Sequence, residues 1–350
     1  MKRYKRHRDY GFFDQDIRLS KLSQLGDPLE KLNSGVDFEI FRQKLEQGLT
    51  KVAKGKGGRP PYDYVLMFKI LILQRYYNLS DEQTEYQIND RMSFMRFLDL
   101  TIADDIPDSR TIWKFTEQIT DLELTEPLFK RFEEELVKLN LIVNEGKIID
   151  ASFVEAPRQR NSKEENARIK KEGAAPKQWE ESPEKLAQKD VDARWTKKNN
   201  QTYYGYKNHT KVDSESKLIS NYLVTDASVH DSQALDQLLE EKDKGEQLYA
   251  DSAYTGQEEI LEKYQVKDQI HEKGARNRPL TDDQKKNNKI KSKTRARVEH
   301  IFGFMENSMG SMYFRKVGRK RAETVIGLMN LTYNMFRKVQ LQQASVGTCL

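Results

Sequence analysis

The sequence feature that most constrains the fold of this chain is a change in the spacing of apolar residues at Gly146. Upstream of Gly146, apolar residues recur at the three- and four-residue spacing of amphipathic helices. Directly downstream, residues 147–154 form a β-branched, apolar run of the length and composition of a buried strand. Three strands of antiparallel type come first, and helices and strands then alternate to the end of the chain, so we predict a helical region followed by an α/β unit.

The part of the chain before Gly146 predicts helices only. A basic segment, residues 1–60, contains one short helix and ends in a Gly/Lys-rich linker at 54–61. Residues 61–140 are predicted to form a helical domain for DNA binding or dimerisation. Ser80 and Gln83 suit a capping box at one helix start, and Asp108 follows a proline at another. The predicted helices cover residues 37–47, 62–77, 80–98, 108–119 and 126–139.

Residues 141–340 are predicted to form the α/β domain, a mixed sheet with flanking helices. Its first strand is followed by residues 155–201, which lose almost all periodicity and are predicted to be an exposed, charged insertion or long loop. Residues 341–350 are predicted to be a C-terminal tail. The predicted strands are 147–154, 203–212, 218–225, 247–251 and 268–271, and the predicted helices are 232–240, 257–264, 282–309 and 319–340.

Composition excludes several classes of protein. The single cysteine, Cys349, cannot form an internal disulfide or a multi-cysteine metal site. The basic N-terminus lacks the apolar segment of a secretory signal, and the most apolar stretch, residues 64–73, contains Lys69 and is too short to span a membrane. We therefore expect a soluble, cytoplasmic protein. The sequence also lacks a phosphate-binding P-loop, zinc-ligand histidine spacing and a nucleophile elbow.

Three acids stand out by their placement. Asp150 interrupts the hydrophobic strand, where a buried carboxylate is costly unless it is paired or binds metal. Asp251 closes a short strand, at the edge where ligands gather in open α/β sheets. Glu299 lies beside the apolar stripe of a long helix. Each alone has a structural explanation, but the three together, in this order of elements, predict a metal site.

The chemistry of these acids and the surrounding charge indicate DNA as the partner. Carboxylates suit Mg²⁺, and two such ions stabilise the attacking and leaving oxygens of phosphoryl transfer. The net charge is only +5, but residues 273–297 contain ten Lys or Arg against two Asp. A solvated helix face normally mixes both signs, so this stretch predicts an electrostatic DNA footprint.

A series of short motifs follows the chain at residues 58–63, 106–111, 149–152, 195–198, 204–209, 226–232, 250–256 and 295–302. Together, in this order, they resemble the DDE transposases of the insertion sequence 5 family. The resemblance implies a ribonuclease H-like catalytic fold, with Asp150, Asp251 and Glu299 as the triad that binds two Mg²⁺ ions, for which Mn²⁺ substitutes. Arg295 matches the arginine of the family's tyrosine-arginine-glutamate-lysine signature.

The sequence departs from the family pattern at two positions. Ser292 stands at the tyrosine position and Glu306 at the lysine position, which makes Glu306 an alternative third acid. The predicted DNA-contacting residues are Lys207, His209, Arg295, Arg297, Lys293 and Lys291, with ordinary surface charge as the competing explanation.

The resemblance implies a bacterial transposase that binds terminal inverted repeats, cleaves DNA and joins the freed end to a target. Such chemistry at paired ends implies a homodimer on double-stranded DNA, associated with the nucleoid and without a nucleotide cofactor. The helical domain is predicted to be either a helix-turn-helix-like reader of the repeats or a packing and dimerisation bundle. Two alternatives stay open, a domesticated, non-catalytic DNA-binding regulator and a metal-dependent nuclease without strand transfer.

Overall fold

The computed structural model describes most of the chain. The described residues are 11–50, 60–156, 160–176, 179, 182–198, 200–275, 278–310, 312–313 and 315–347. The basic N-terminus, most of the predicted Gly/Lys-rich linker and Cys349 lie outside these residues. Within them, no helix combines the length and the apolar character needed to cross a lipid bilayer.

The first part of the chain is helical, as predicted. The caps that the sequence indicates are present: Ser80 Oγ accepts the Gln83 amide at 3.1 Å, and Asp108 Oδ1 accepts the Thr111 amide at 2.7 Å. The α-helices are α1 (Asp14–Gln24), α2 (Pro28–Gly35), α3 (Arg42–Leu49), α4 (Tyr64–Tyr76), α5 (Asp81–Asp90), α6 (Met92–Phe97), α7 (Ser109–Asp121) and α8 (Thr125–Lys138).

The region before residue 50 is more ordered than the sequence indicates. The sequence predicts one helix there, whereas the structure has α1, α2, α3 and a 3₁₀ turn at Phe38–Phe41. Phe41 is fully buried, and its ring centroid lies 4.8 Å from that of Phe68 in α4. Residues 28–49 therefore share the hydrophobic core of the helices that follow the linker.

A mixed sheet follows the helices, which confirms the predicted fold class. Within the described residues its strands run in the order β2-β3-β1-β5-β6, with β4 also paired to β3. The central strand β1 is antiparallel to β3 and parallel to β5, an arrangement consistent with a ribonuclease H-like core. The strands are β1 (Gly146–Glu155), β2 (Arg194–Lys198), β3 (Gln201–Asp213), β4 (Ile219–Asp226), β5 (Gln247–Ala250) and β6 (Lys267–Asp268).

The long strand β3 pairs with two strands in succession along one edge. Residues 201–205 pair with β2, and residues 206–212 pair with β4. Gly205 lies at this changeover with φ +149°, and a Cβ there would come within 2.3 Å of the Val154 carbonyl oxygen. A glycine is required at this position because no L side chain fits so close to β1.

The prediction of an exposed insertion or loop at residues 155–201 is wrong in part, because this stretch contains α9 (Lys163–Glu172), α10 (Pro183–Gln188) and β2. Its charges are used in specific contacts: Ser162 and Glu165 form a capping box, and the buried Asp190 carboxylate accepts the Tyr206 hydroxyl at 2.8 Å. Trp179 is also buried. Hydrogen bonds to charged groups and the burial of one indole therefore stabilise the described part of this segment, which lacks a continuous apolar stripe.

Helices cover both faces of the sheet. On one face, α11 (Leu235–Leu238), α12 (Glu258–Tyr264) and β5 share a small hydrophobic core around Ile149. On the other, α14 (Glu299–Asn307) and α15 (Arg319–Gly347) join the sheet to the core of the helical region.

Several predicted elements differ in length. The predicted helix 282–309 is α13 (Asp282–Arg295), a 3₁₀ turn at Ala296–Val298, and α14. The last helix continues beyond residue 340 to Gly347, and the predicted strand 268–271 is reduced to β6.

Candidate active site

The parallel pairing of β1 and β5 brings two of the predicted acids together. Ile149 pairs with Ala250, so the next residues along the two strands, Asp150 and Asp251, are neighbours. Strand β5 ends at this point, whereas β1 continues to Glu155. The acid pair therefore lies at the carboxyl end of β5, where a ligand can approach the sheet.

Asp251 is held in place by the turn that it begins. Its Oδ1 accepts the Ala253 amide at 2.8 Å and caps a 3₁₀ turn at Ser252–Tyr254. Tyr254 is fully buried and anchors this turn in the small core. The orientation of the Asp251 carboxylate is therefore set by backbone geometry beside Asp150.

The Asp150 carboxyl has a raised pKa. Burial raises the pKa to about 6, and the like charge of Asp251 contributes in the same direction. The Ala151 amide and the Arg295 guanidinium act oppositely and lower it. Arg295 Nη1 donates to Asp150 Oδ2 at 2.9 Å. The pair of acids therefore attracts a cation, and one cationic group, Arg295, already contacts it.

Glu299 is connected to this pair through Arg295. Glu299 is the first residue of α14, and its Oε1 lies 3.8 Å from Arg295 Nη2. Its side chain is 67% exposed. Within the described ranges, no three His, Cys, Asp or Glu side chains lie close enough together to hold a metal ion. Glu306 is also exposed, near the other end of α14.

The donor chemistry of the site fits divalent magnesium or manganese. Asp150 and Asp251 offer hard carboxylate oxygens from rigid elements, and their mutual repulsion is relieved by a cation. In the structure, the positively charged Arg295 guanidinium contacts both Asp150 and Glu299 in place of such a cation. Metal binding by all three acids therefore requires Arg295 to leave Asp150 and Glu299 to turn toward the pair.

Two of the predicted DNA-contacting residues, Lys207 and His209, are buried in the structure. Lys207 Nζ donates to the Val229 carbonyl at 2.6 Å and to Asp231 at 2.8 Å. His209 is fully buried, with Nε2 2.9 Å from Thr225 Oγ1, and burial lowers its pKa to about 4. Both side chains extend from β3 and bond to β4 or to the loop that follows it, and neither presents a cation to solvent.

The other predicted contacts lie on or just after α13, which has no buried residues. Lys293 is exposed, whereas Lys291 Nζ donates to the Ile270 carbonyl at 2.9 Å. Arg297 Nη1 donates to the Ser214 carbonyl at 2.7 Å and pairs with Glu215. Helix α13 packs beside β5, the strand that Asp251 follows, and carries exposed lysines on its solvent side.

His271 is a residue of the site that the sequence analysis missed. Its amide donates to the Ala250 carbonyl at 3.1 Å, directly beside Asp251, and its Nε2 lies 3.2 Å from Ser292 Oγ. Burial lowers its pKa, as do Arg295 and Lys291, while Asp251 raises it. The spacing of the histidines along the sequence did not indicate this position, because a backbone hydrogen bond to Ala250, formed after the end of β6, brings His271 to the site.

The mixed sheet, the acid pair and the basic helix beside it are those of a DDE-type transposase domain. Residues 143–335 match the family described as "Transposase DDE domain", and the chain belongs to this family. Residues 17–118 match a second family, "Transposase domain (DUF772)". A cryo-electron microscopy structure of the piggyBac transposase synaptic complex with hairpin DNA is a distant likeness, with 13% identity and a TM-score of 0.46 over 93% of this chain and 77% of that chain.

Proposed function

We propose that the protein is a DNA transposase of the insertion sequence 5 type, which binds terminal inverted repeats and carries out DNA cleavage and strand transfer as a homodimer. The observation that carries this proposal is the side-by-side placement of Asp150 and Asp251 at the end of β5. The exposed lysines of α13, a helix that packs beside β5, support a polyanionic substrate.

Both chemical steps exchange one P–O bond for another. In cleavage, water attacks a phosphodiester at the element end, the bond from phosphorus to the 3′ oxygen breaks, and a 3′-hydroxyl and a 5′-phosphate result. In strand transfer, that 3′-hydroxyl attacks a target phosphodiester and gives up its proton. The bond from the target phosphorus to its 3′ oxygen breaks, and the departing 3′ oxygen takes up a proton. Because the steps are alike, one site serves both, mainly by positioning and charge neutralisation.

The protein groups have distinct roles in this proposal. Asp150, Asp251 and Glu299 would hold two Mg²⁺ ions, with Mn²⁺ as substitute, which when bound supply charge stabilisation to the attacking and leaving oxygens. Arg295, once released from Asp150, is positioned to contact a phosphate. Lys293 is an exposed cation of α13 that would contact the DNA backbone, and Lys291 and Arg297 would contribute after giving up their carbonyl partners.

A joining assay tests the proposed function. The purified full-length protein is incubated with a plasmid that carries the gene's own flanking DNA, with Mg²⁺ or with EDTA. We expect Mg²⁺-dependent cutting at the element ends and covalent joining of those ends to target DNA. Cutting without joined products identifies a nuclease, and binding of the flanks without cutting identifies a regulator; each result overturns the proposal.

Divalent-cation binding should depend on pH in a defined direction. The Asp150 pKa is raised to about 6, so below pH 6 the carboxyl is neutral and a cation must displace its proton. We expect Mn²⁺ affinity, measured by calorimetry without DNA, to fall about tenfold per pH unit below pH 6 and to stay constant between pH 7 and 8. An affinity that is unchanged down to pH 5 would contradict this assignment.

Removing the Arg295 guanidinium should strengthen metal binding in the absence of DNA. Arg295→Ala frees Asp150 Oδ2, and we expect about fivefold tighter Mn²⁺ binding, equivalent to about 1 kcal/mol. Arg297→Ala is the matched control, since Arg297 bonds to Ser214 and Glu215 and should leave the affinity unchanged. Weaker Mn²⁺ binding by Arg295→Ala would show that the arginine supports the metal site.

A further inference from the structure

A group of positively charged side chains lines a cleft between the helical region and the start of α15. The cleft has a volume of about 490 Å³, within the range of roughly 300–1,000 Å³ that is usual for small-ligand sites. Its cations come from two distant parts of the chain, Arg75 in α4 and then Arg315, Lys316 and Arg321 in the segment that leads into α15. We call these four residues the cation cluster.

Arg75 is the cation of this cluster with the least compensation. Its side chain is partly buried, and burial lowers the pKa of the guanidinium to about 10. Among the described residues it donates no hydrogen bond and forms no ion pair, although the charge of Asp81 acts on it from a distance. A buried cation without an acceptor for its N–H groups costs free energy. The Arg75 guanidinium therefore keeps its donors for a ligand in the cleft.

The neighbouring cations of the cluster repel one another. Arg315 Nη1 donates to the neutral Asn78 Oδ1 at 2.7 Å, and Arg315 forms no ion pair in the described part of the chain. Its charge acts in the same direction as burial on the pKa of Arg75. Burial also lowers the pKa of Lys316, and the charge of Arg75 adds to that effect. An anion bound between these groups would relieve their repulsion.

The acids of the cleft are mostly engaged by protein partners. The lining contains the acids Asp81, Glu82 and Glu117. The Glu117 carboxylate accepts Arg321 Nη2 at 2.6 Å and Lys316 Nζ at 3.3 Å. Asp81 Oδ1 accepts the Gln74 side-chain amide at 2.7 Å. Two of the three carboxylates are thus bonded within the protein, while the other two cations of the cluster have no carboxylate partner in the described residues.

We propose that the cation cluster binds a phosphate group, which is supplied either by a free phosphate ion or monoester or by the DNA backbone. A carboxylate offers two oxygens in one plane, whereas a phosphate offers oxygens in several directions to donors on opposite walls of the cleft. The walls belong to α4 and to the segment before α15, so a bound phosphate would join the helical region to the α/β domain. Asp150 and Asp251 do not line this cleft.

Calorimetry with inorganic phosphate tests this proposal on the full-length protein at constant ionic strength, without DNA and without divalent metal. We expect Arg75→Gln and, at an exposed residue, Arg315→Gln each to weaken phosphate binding by roughly 10- to 100-fold. Arg319→Gln is the matched control, because it removes the same charge from an exposed residue near Arg315 that does not line the cleft. Its phosphate affinity should be that of the wild type.

Three results of this titration would overturn the proposal. They are no phosphate binding by the wild type, equal affinity in the wild type and Arg75→Gln, and an equal loss in Arg319→Gln. Acetate that binds the wild type as tightly as phosphate would also contradict the assignment of the ligand.

Thermal unfolding separates a binding role of Arg75 from a structural one. Without phosphate, Arg75→Gln should unfold at a temperature no lower than the wild type, because the change removes a buried cation without a partner. Phosphate should raise the unfolding temperature of the wild type and leave that of Arg75→Gln unchanged. A variant that unfolds at a lower temperature and still gains the wild-type increase with phosphate would show that Arg75 is structural.

Duplex DNA distinguishes the two sources of the phosphate group. If the backbone supplies it, inorganic phosphate at constant ionic strength should weaken duplex binding by the wild type but not by Arg75→Gln. If the ligand is free phosphate, duplex affinity should be the same in both proteins with or without it. Because the calorimetry contains no DNA, phosphate binding by a protein that never joins ends would support the cation cluster and refute the transposase proposal alone.

Discussion

Asp150→Asn and Asp251→Asn should each reduce cleavage of the element ends by at least about 10³-fold while leaving DNA affinity within about threefold of wild type. Each change removes one negative charge and one hard oxygen ligand from the pair at the end of β5. The side-chain carbonyl oxygen that Asp251→Asn retains is still able to accept the Ala253 amide, so the local turn should be kept. Cleavage rates are measured on the flanking DNA with saturating Mg²⁺, and affinities by fluorescence anisotropy.

Asp268→Asn is the matched control for these variants. Asp268 also ends a strand of the same sheet, and its Oδ1 accepts the amide two residues ahead, from Ile270 at 2.7 Å, as Asp251 does with Ala253. We expect wild-type cleavage from this variant because Asp268 does not adjoin Asp150. Substantial cleavage by Asp150→Asn would contradict the assignment of the catalytic pair.

Glu299→Gln and Glu306→Gln should differ strongly, although both residues lie on α14. We expect Glu299→Gln to reduce cleavage by at least about 10²-fold and Glu306→Gln to change it by less than about twofold. Glu299 lies 3.8 Å from the arginine that bonds to Asp150, at the end of α14 that faces the pair. Glu306 lies near the opposite end of the helix.

The two glutamate variants also act as controls for each other, because each removes one exposed carboxylate from the same helix. The rates are measured on the same flanking DNA, with thermal unfolding to verify that both variants are folded. The reverse result, a loss in Glu306→Gln with normal cleavage by Glu299→Gln, would make Glu306 the third acid.

The sequence predicted the sheet well because its strands carry strong local signals. The β-branched run of β1 has no helical explanation, and the strands predicted at 203–212 and 218–225 lie close to β3 and β4, whereas β2 was not predicted. The order of the acids along the chain also predicted that Asp150, inside a strand, and Asp251, at a strand end, belong to one site. In the structure the parallel register of β1 and β5 makes the two residues neighbours.

Local sequence patterns could not predict contacts between residues that are far apart in the sequence. Within the described part of 160–198, the buried Asp190 bonds to Tyr206 and Gly318, which lie 16 and 128 residues away in the sequence. Similarly, Lys207 and His209 were predicted to contact DNA phosphates, but their side chains are buried and bond to Asp231 and Thr225. The contact between Arg295 and Asp150 spans 145 residues and follows from the docking of α13 onto β5.

The central claim is that Asp150, Asp251 and Glu299 form the metal-dependent catalytic centre of a transposase. Anomalous scattering from Mn²⁺ in crystals of the protein bound to its own element end tests it most directly. We predict two peaks about 4 Å apart, one between Asp150 and Asp251 and one within reach of Glu299, with Arg295 moved from Asp150 to a DNA phosphate. A map with no peak at these acids, and with Arg295 still bonded to Asp150, would contradict the claim.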